Sequence, residues 1–89
     1  MTRRAKPIVW PAEMPPALAE VLGIPNFKMH VVWMALRETG QVIEPHYEAE
    51  MAAALFFLIP LALEHGDGWP QAAAAALDAK KAAHDAANS

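Results

Sequence analysis

Hydrophobic and polar positions along this chain fall into blocks punctuated by proline and glycine. The longest block, residues 51–63, reads MAAALFFLIPLAL, an apolar run with Pro60 inside it. Pro45 ahead of it and Gly66 behind it predict a helix from 45 to 64 or 65. Pro60 removes a backbone donor and presses on the preceding turn, so a bend is expected near Phe56. At about 100° per residue, His46, Glu50, Ala53, Phe57, Pro60, Leu61 and Glu64 share one sector, while Ala52, Leu55, Phe56, Ile59, Ala62 and Leu63 fill the rest. The polar ends mark the first sector as the outer one. Ala52, Leu55, Phe56, Ile59 and Leu63 are therefore expected to build the core, with Phe57 and Leu61 outward between Glu50 and Glu64.

The other blocks are shorter. Pro15 and Pro16 can open a helix over residues 17–22 that Gly23 can close in a left-handed conformation, with Leu18, Val21 and Leu22 as its apolar side. Asn26 is a candidate N-cap and Gly40 the matching stop for a second helix. Between them Phe27, Met29, Val31, Trp33 and Ala35 alternate as a strand would, and the pair Val31 and Val32 favours that reading. The caps, and the lack of a partner longer than Gln41, Val42 and Ile43, favour a helix. Asp67 can cap a last helix whose first turn holds Pro70; it is nearly polyalanine from 71 to about 83 and is expected to fray from 86 on. Residues 1–14, with Pro7 and Pro11 restricting their neighbours, read as an extended arm whose Ile8, Val9 and Trp10 could clip onto the body. The expected architecture is all-α: a single domain over 15–89, a small bundle of about four helices, preceded by that arm.

Composition narrows the setting. A chain of 89 residues supports one small domain of modest stability. It has no cysteine, so neither a disulfide framework nor a thiolate metal site can form, and a reducing cytoplasm is the natural home. Thr2, Arg3, Arg4 and Lys6 give a basic start, but Pro7, Pro11, Pro15 and Pro16 interrupt what would have to be the apolar core of a signal peptide, so no secretion is expected. The run 51–63 is shorter than the ~18–20 residues a bilayer requires and is closed by Glu50 and Glu64, so a buried helix is expected instead of a membrane span. The net charge is -3, but no Lys or Arg falls between Arg37 and Lys80, where Glu38, Glu44, Glu48, Glu50, Glu64, Asp67 and Asp78 lie. Such an acidic middle repels nucleic acid and suits a basic protein partner.

Candidate chemistry is sparse. His46 and Glu50, four apart, could supply two metal ligands on one helical face, but a divalent site needs more, and Glu64, His65 and Asp67 lie at the far end of the same helix. His65 and Asp67 have ordinary readings as a helix-dipole partner and a cap. Ser89 is the lone serine, and no Gly-rich cradle or G-x-S-x-G setting is present, so neither an enzyme nor a cofactor is expected. Trp10, Trp33 and Trp69 suit either the core or interface anchors; Met29, Met34 and Met51 suit either an irregular core or an adaptable contact surface.

The text AALFFLIPLALEHGDGWPQAAAAALDA, and Glu64, His65, Gly66, Asp67 and Trp69 within it, resembles small uncharacterised proteins encoded in phages and prophages of proteobacteria. In these an apolar helix is followed by an H-G-D-x-W connector and an Ala-rich helix. The resemblance implies context only: an accessory factor that binds a host component in the host cytoplasm. The expected function is a non-enzymatic interaction protein, a homodimer, inhibiting a nucleic-acid-handling or defence complex through Phe57, Leu61, Glu48, Glu50, Glu64, Asp67 and Trp10. The alternative is a phage structural or assembly component that self-associates through the apolar stripe. A metal-dependent hydrolase built on His46 and Glu50 is a third reading.

Overall fold

A computed structural model describes residues 10–88. The described residues are all-helical: α1 (Pro16–Leu22), α2 (Asn26–Glu38), α3 (Tyr47–His65), a 3-10 turn (Gly66–Gly68) and α4 (Trp69–Ala87). The all-α class holds, and residues 27–36 are helix, not strand. The count differs from four separate helices. α3, the 3-10 turn and α4 follow one another without a non-helical residue, leaving three uninterrupted helical stretches among the described residues.

Each boundary has a local cause. Pro16 opens α1, where a missing N–H costs nothing, and Gly23 ends it at φ −90°, not in the left-handed conformation expected, with its N–H donating to the Ala19 carbonyl at 2.9 Å. Pro25, extended at φ −63° and ψ 149°, lies just ahead of α2, and its carbonyl accepts from the N–H groups of Lys28 and Met29 at 2.9 and 3.0 Å. Asn26 is thus the first helical residue, and no side chain caps this end, which corrects the expected Asn26 cap. Thr39 closes α2 by donating its hydroxyl to the Leu36 carbonyl at 2.6 Å. His46 is extended (φ −142°, ψ 157°), and its Nδ1 accepts from the Ala49 N–H at 3.3 Å. That cap starts α3 at Tyr47 and leaves Pro45 outside the helix it was expected to open. Asp67 likewise does not cap α4. It lies inside the 3-10 turn, and Gly68 precedes the helix without a side-chain bond. At the far end Asn88 donates from Nδ2 to the His84 carbonyl at 2.8 Å, holding Ala86 and Ala87 in the helix instead of letting them fray.

Gly66 turns the long stretch. A straight helix over Tyr47–Ala87 would be roughly 61 Å long, whereas the longest dimension of the fold is 44 Å. Gly66 adopts φ 56° and ψ −130°, a conformation that favours glycine, and its N–H still reaches the Ala62 carbonyl. α4 is thereby redirected to pack beside α3.

α3 is the hub, packing against α1, α2 and α4. Its buried side is Ala54, Leu58 and Ala62, spaced i, i+4 and i+8, and these join Ala17 and Val21 of α1, Met29 and Trp33 of α2 and Ala73 of α4 in one cluster. Small alanines on three helices let the axes approach closely, while Leu58, Met29 and Trp33 supply the bulk. Leu22, expected on the apolar side of α1, is exposed, because this short helix turns residues 17, 18 and 21 to the core.

The expected inner and outer sides of α3 are corrected. Phe56, assigned to the core, is 83% exposed. Phe57 and Leu61, assigned to the outside, are partly buried against the core cluster. Leu55 and Ile59 pack against the core as expected, joined by Met51, whereas Ala52, also assigned to the core, is exposed. α3 continues through Pro60, and the carbonyl that loses a helical partner belongs to Phe56, whose side chain stands in solvent. The helical stretch is also longer than the apolar run within it. By length and composition Tyr47–Ala87 contains a window able to cross a membrane, with a mean hydropathy of 1.3 and 17% of it buried in the fold. Shortness therefore does not separate this segment from a membrane span.

Candidate interaction surface

The residues expected to form one acidic-rimmed patch are dispersed among several roles. Glu50 is partly buried, and its Oε2 receives a hydrogen bond from Arg37 Nη1 at 2.8 Å. The same guanidinium donates from Nη2 to the carbonyls of Ile43 and Glu44 at 2.9 and 3.2 Å, so Arg37 ties the end of α2, the following loop and the first turns of α3 into one unit. Glu48 is exposed, with Oε1 3.3 Å from His46 Nδ1. Glu64 is exposed beside His65 at 3.4 Å, and Asp67 is exposed in the 3-10 turn. Trp10 is 65% exposed, while Ile8 and Val9 lie outside the described residues. Trp33 is buried with the His30 ring edge-on to it at 5.6 Å, and Trp69 packs against the core and donates its indole N–H to Glu20 Oε1 at 3.0 Å.

The metal candidates are engaged elsewhere, His46 as the α3 cap and Glu50 as the Arg37 partner. No group of three metal-ligating side chains comes together among the described residues. An open cleft of about 500 Å³ lies between the end of α2 and α4, lined by Thr39, Gly40, Gln41, Lys80, Ala83 and His84. Gly40, at φ 91°, lets the His84 ring approach so closely that a Cβ there would lie 2.5 Å from Nδ1. The cleft holds no carboxylate, and its one hydroxyl, that of Thr39, is donated to the Leu36 carbonyl.

A different surface is assembled by α2. Met29, Trp33 and Leu36, spaced i, i+4 and i+7, turn inward and are buried. Phe27, Val31 and Met34 repeat the same spacing on the opposite side and are 72%, 68% and 41% exposed. Glu38 continues the outer stripe one turn further, and Lys28 flanks it near the start; both are exposed. No salt bridge of either side chain is found among the described residues. No contact role is expected for Phe27 or Val31 from the chain alone, although the signal is in the sequence: α2 carries two apolar i, i+4, i+7 rows, and one face of a helix can bury only one of them.

Comparison of the chain with protein-family models, with curated proteins and with solved structures finds no match. Function therefore has to be read from the surface itself.

Proposed function

We propose that this chain is a small, non-enzymatic protein–protein interaction module that acts through surface contact in the host cytoplasm. The observation that carries this reading is the outward apolar stripe Phe27, Val31 and Met34 on α2, directly opposite the buried row of the same helix. Three large apolar side chains held on one rigid helical face are a feature of docking surfaces. The exposed acids Glu44, Glu48, Glu64 and Asp67 suit a basic partner. A phage-type accessory factor that occupies the positive groove of a nucleic-acid-handling or defence complex is the instance these features support. Phe57 and Leu61, turned toward the core, drop out of the contact set, and Phe27, Val31 and Met34 replace them. An assembly component using the same stripe is the second reading, and it requires contacts that propagate beyond a pair of chains.

Photo-crosslinking in producing cells tests the proposal. A photoreactive residue at position 31 gives a defined protein adduct, while the same residue at Ala79, exposed on α4, gives none. An absence of adducts at position 31, or equal labelling at both positions, contradicts it. A ladder of self-adducts selects the assembly reading.

A further inference from the structure

We infer that the outer face of α2 is a seam for a second copy of this chain, packed antiparallel about a two-fold axis near Trp33. The inference rests on the reading of that face as a contact surface and adds its occupant. The charges at the two ends of the stripe carry it. Lys28 lies in the first turn of α2, where the helix macrodipole is positive, and Glu38 lies at the last residue, where it is negative. Each is on the unfavourable end of its own helix, and no salt bridge of either is found among the described residues. Within one chain they are ten residues apart, roughly 15 Å along the axis, too far to pair.

An antiparallel second copy resolves both mismatches together. Lys28 then lies beside the C-terminal end of the partner helix and its Glu38, and Glu38 beside the partner's N-terminal end and its Lys28. The midpoint between 28 and 38 falls at Trp33, whose own side chain is buried on the opposite face. About that midpoint Val31 meets the region of the partner's Met34, and Phe27 reaches the last turn of the partner helix. A patch that contacts itself in this way, residue i on j and j on i, is isologous and closes at two copies. Parallel packing would set Lys28 against Lys28 and Glu38 against Glu38. A basic partner would satisfy Glu38 but oppose Lys28, and an acidic one the reverse.

The size of the stripe sets the strength. A stable interface buries ~800 Å² per partner, and three side chains on a helix of thirteen residues expose less than that. The pairing is therefore a reversible one, expected in the micromolar range.

Sedimentation equilibrium of the full chain tests it. The wild type is expected to move between one and two copies of the 9.7 kDa chain as concentration rises through the micromolar range. Lys28→Glu and Glu38→Lys alone each weaken association by roughly three- to tenfold at low salt, and the double exchange restores the part due to the pair of side chains, the smaller part due to the partner's helix dipole being reversed. Restoration identifies pairing between copies, because the two positions cannot meet within one. Val31→Glu, at an exposed site where helical circular dichroism is expected to stay unchanged, weakens association by more than ~30-fold. A wild type that stays monomeric to millimolar concentration, or a dimer indifferent to Val31→Glu, overturns the inference. An adduct at position 31 with a different protein, from a chain that is monomeric in solution, removes the second copy while leaving the contact surface standing.

Discussion

Replacing Leu58 by alanine, beside Phe56 replaced by alanine, tests the rotation of α3 about its axis. Leu58 is 1% exposed in the central cluster, on the helix that every other helix packs against. The substitution removes about three buried carbons at ~0.8 kcal/mol each and leaves a cavity that a core already rich in alanine has few flexible side chains to refill, so a loss of ~3 kcal/mol is expected. A domain of this size holds roughly 4–13 kcal/mol in all. Losing ~3 kcal/mol lowers Tm by about 12–24 °C, and in urea, with a slope of ~1 kcal/mol/M, shifts the midpoint by ~3 M. Phe56→Ala, two residues earlier, removes a larger side chain that stands in solvent and is expected to stay within ~0.5 kcal/mol of wild type. Urea unfolding followed by circular dichroism at 222 nm, with Leu58→Val as a milder third variant, reads the difference. Equal losses for Leu58→Ala and Phe56→Ala, or the larger loss at Phe56, would refute the packing described here.

Further expectations concern the loops. Glu50→Gln is expected to cost ~1 kcal/mol, an effect that shrinks at high salt. Arg37→Ala should cost more, ~2–3 kcal/mol, because it also releases the Ile43 and Glu44 carbonyls and leaves Glu50 partly buried without its partner; hydrogen exchange of the 40–46 amides should quicken in that variant. Gly66→Ala meets no neighbouring atom, so its cost of ~1–2 kcal/mol comes from the backbone conformation alone. Gly40→Ala adds a collision with the His84 ring, and the double substitution with His84→Ala is expected to recover part of that loss in a thermal-melt cycle.

The punctuation was legible because it is local chemistry. Pro16, Gly40 and Gly66 act through φ and a missing N–H, which no tertiary contact needs to complete. The helical state of residues 27–36 followed from the Gly40 stop and the lack of a strand partner, despite the alternation of Phe27, Met29, Val31 and Trp33, although Asn26, the expected cap, is the first helical residue and caps nothing. The faces of α3 were not legible, because that helix is apolar almost all round and its rotation was inferred from the acids at its ends. Glu50 misled that inference: Arg37 draws it into a partly buried ion pair, so its polarity does not mark the outside. With Glu50 taken as outward, Phe57 came out exposed and Phe56 buried, the reverse of what packing against three neighbours produces. The two apolar rows of α2 were written in the sequence, but which one faces the core depends on where α3 lies. The acids Glu48, Glu64 and Asp67 are exposed as expected, yet Phe57 and Leu61, expected among them, pack against the core, and the exposed apolar row Phe27, Val31 and Met34 lies on α2.

The measurement that bears most directly on the surface is a dilution series of amide chemical shifts in the 89-residue chain. Dilution from millimolar to low micromolar concentration is expected to move the amides around Phe27, Val31, Met34 and Glu38 together, while those around Phe57 and Leu61 stay in place. Shifts that do not change with concentration, or that change on α3 and not on α2, would contradict the account.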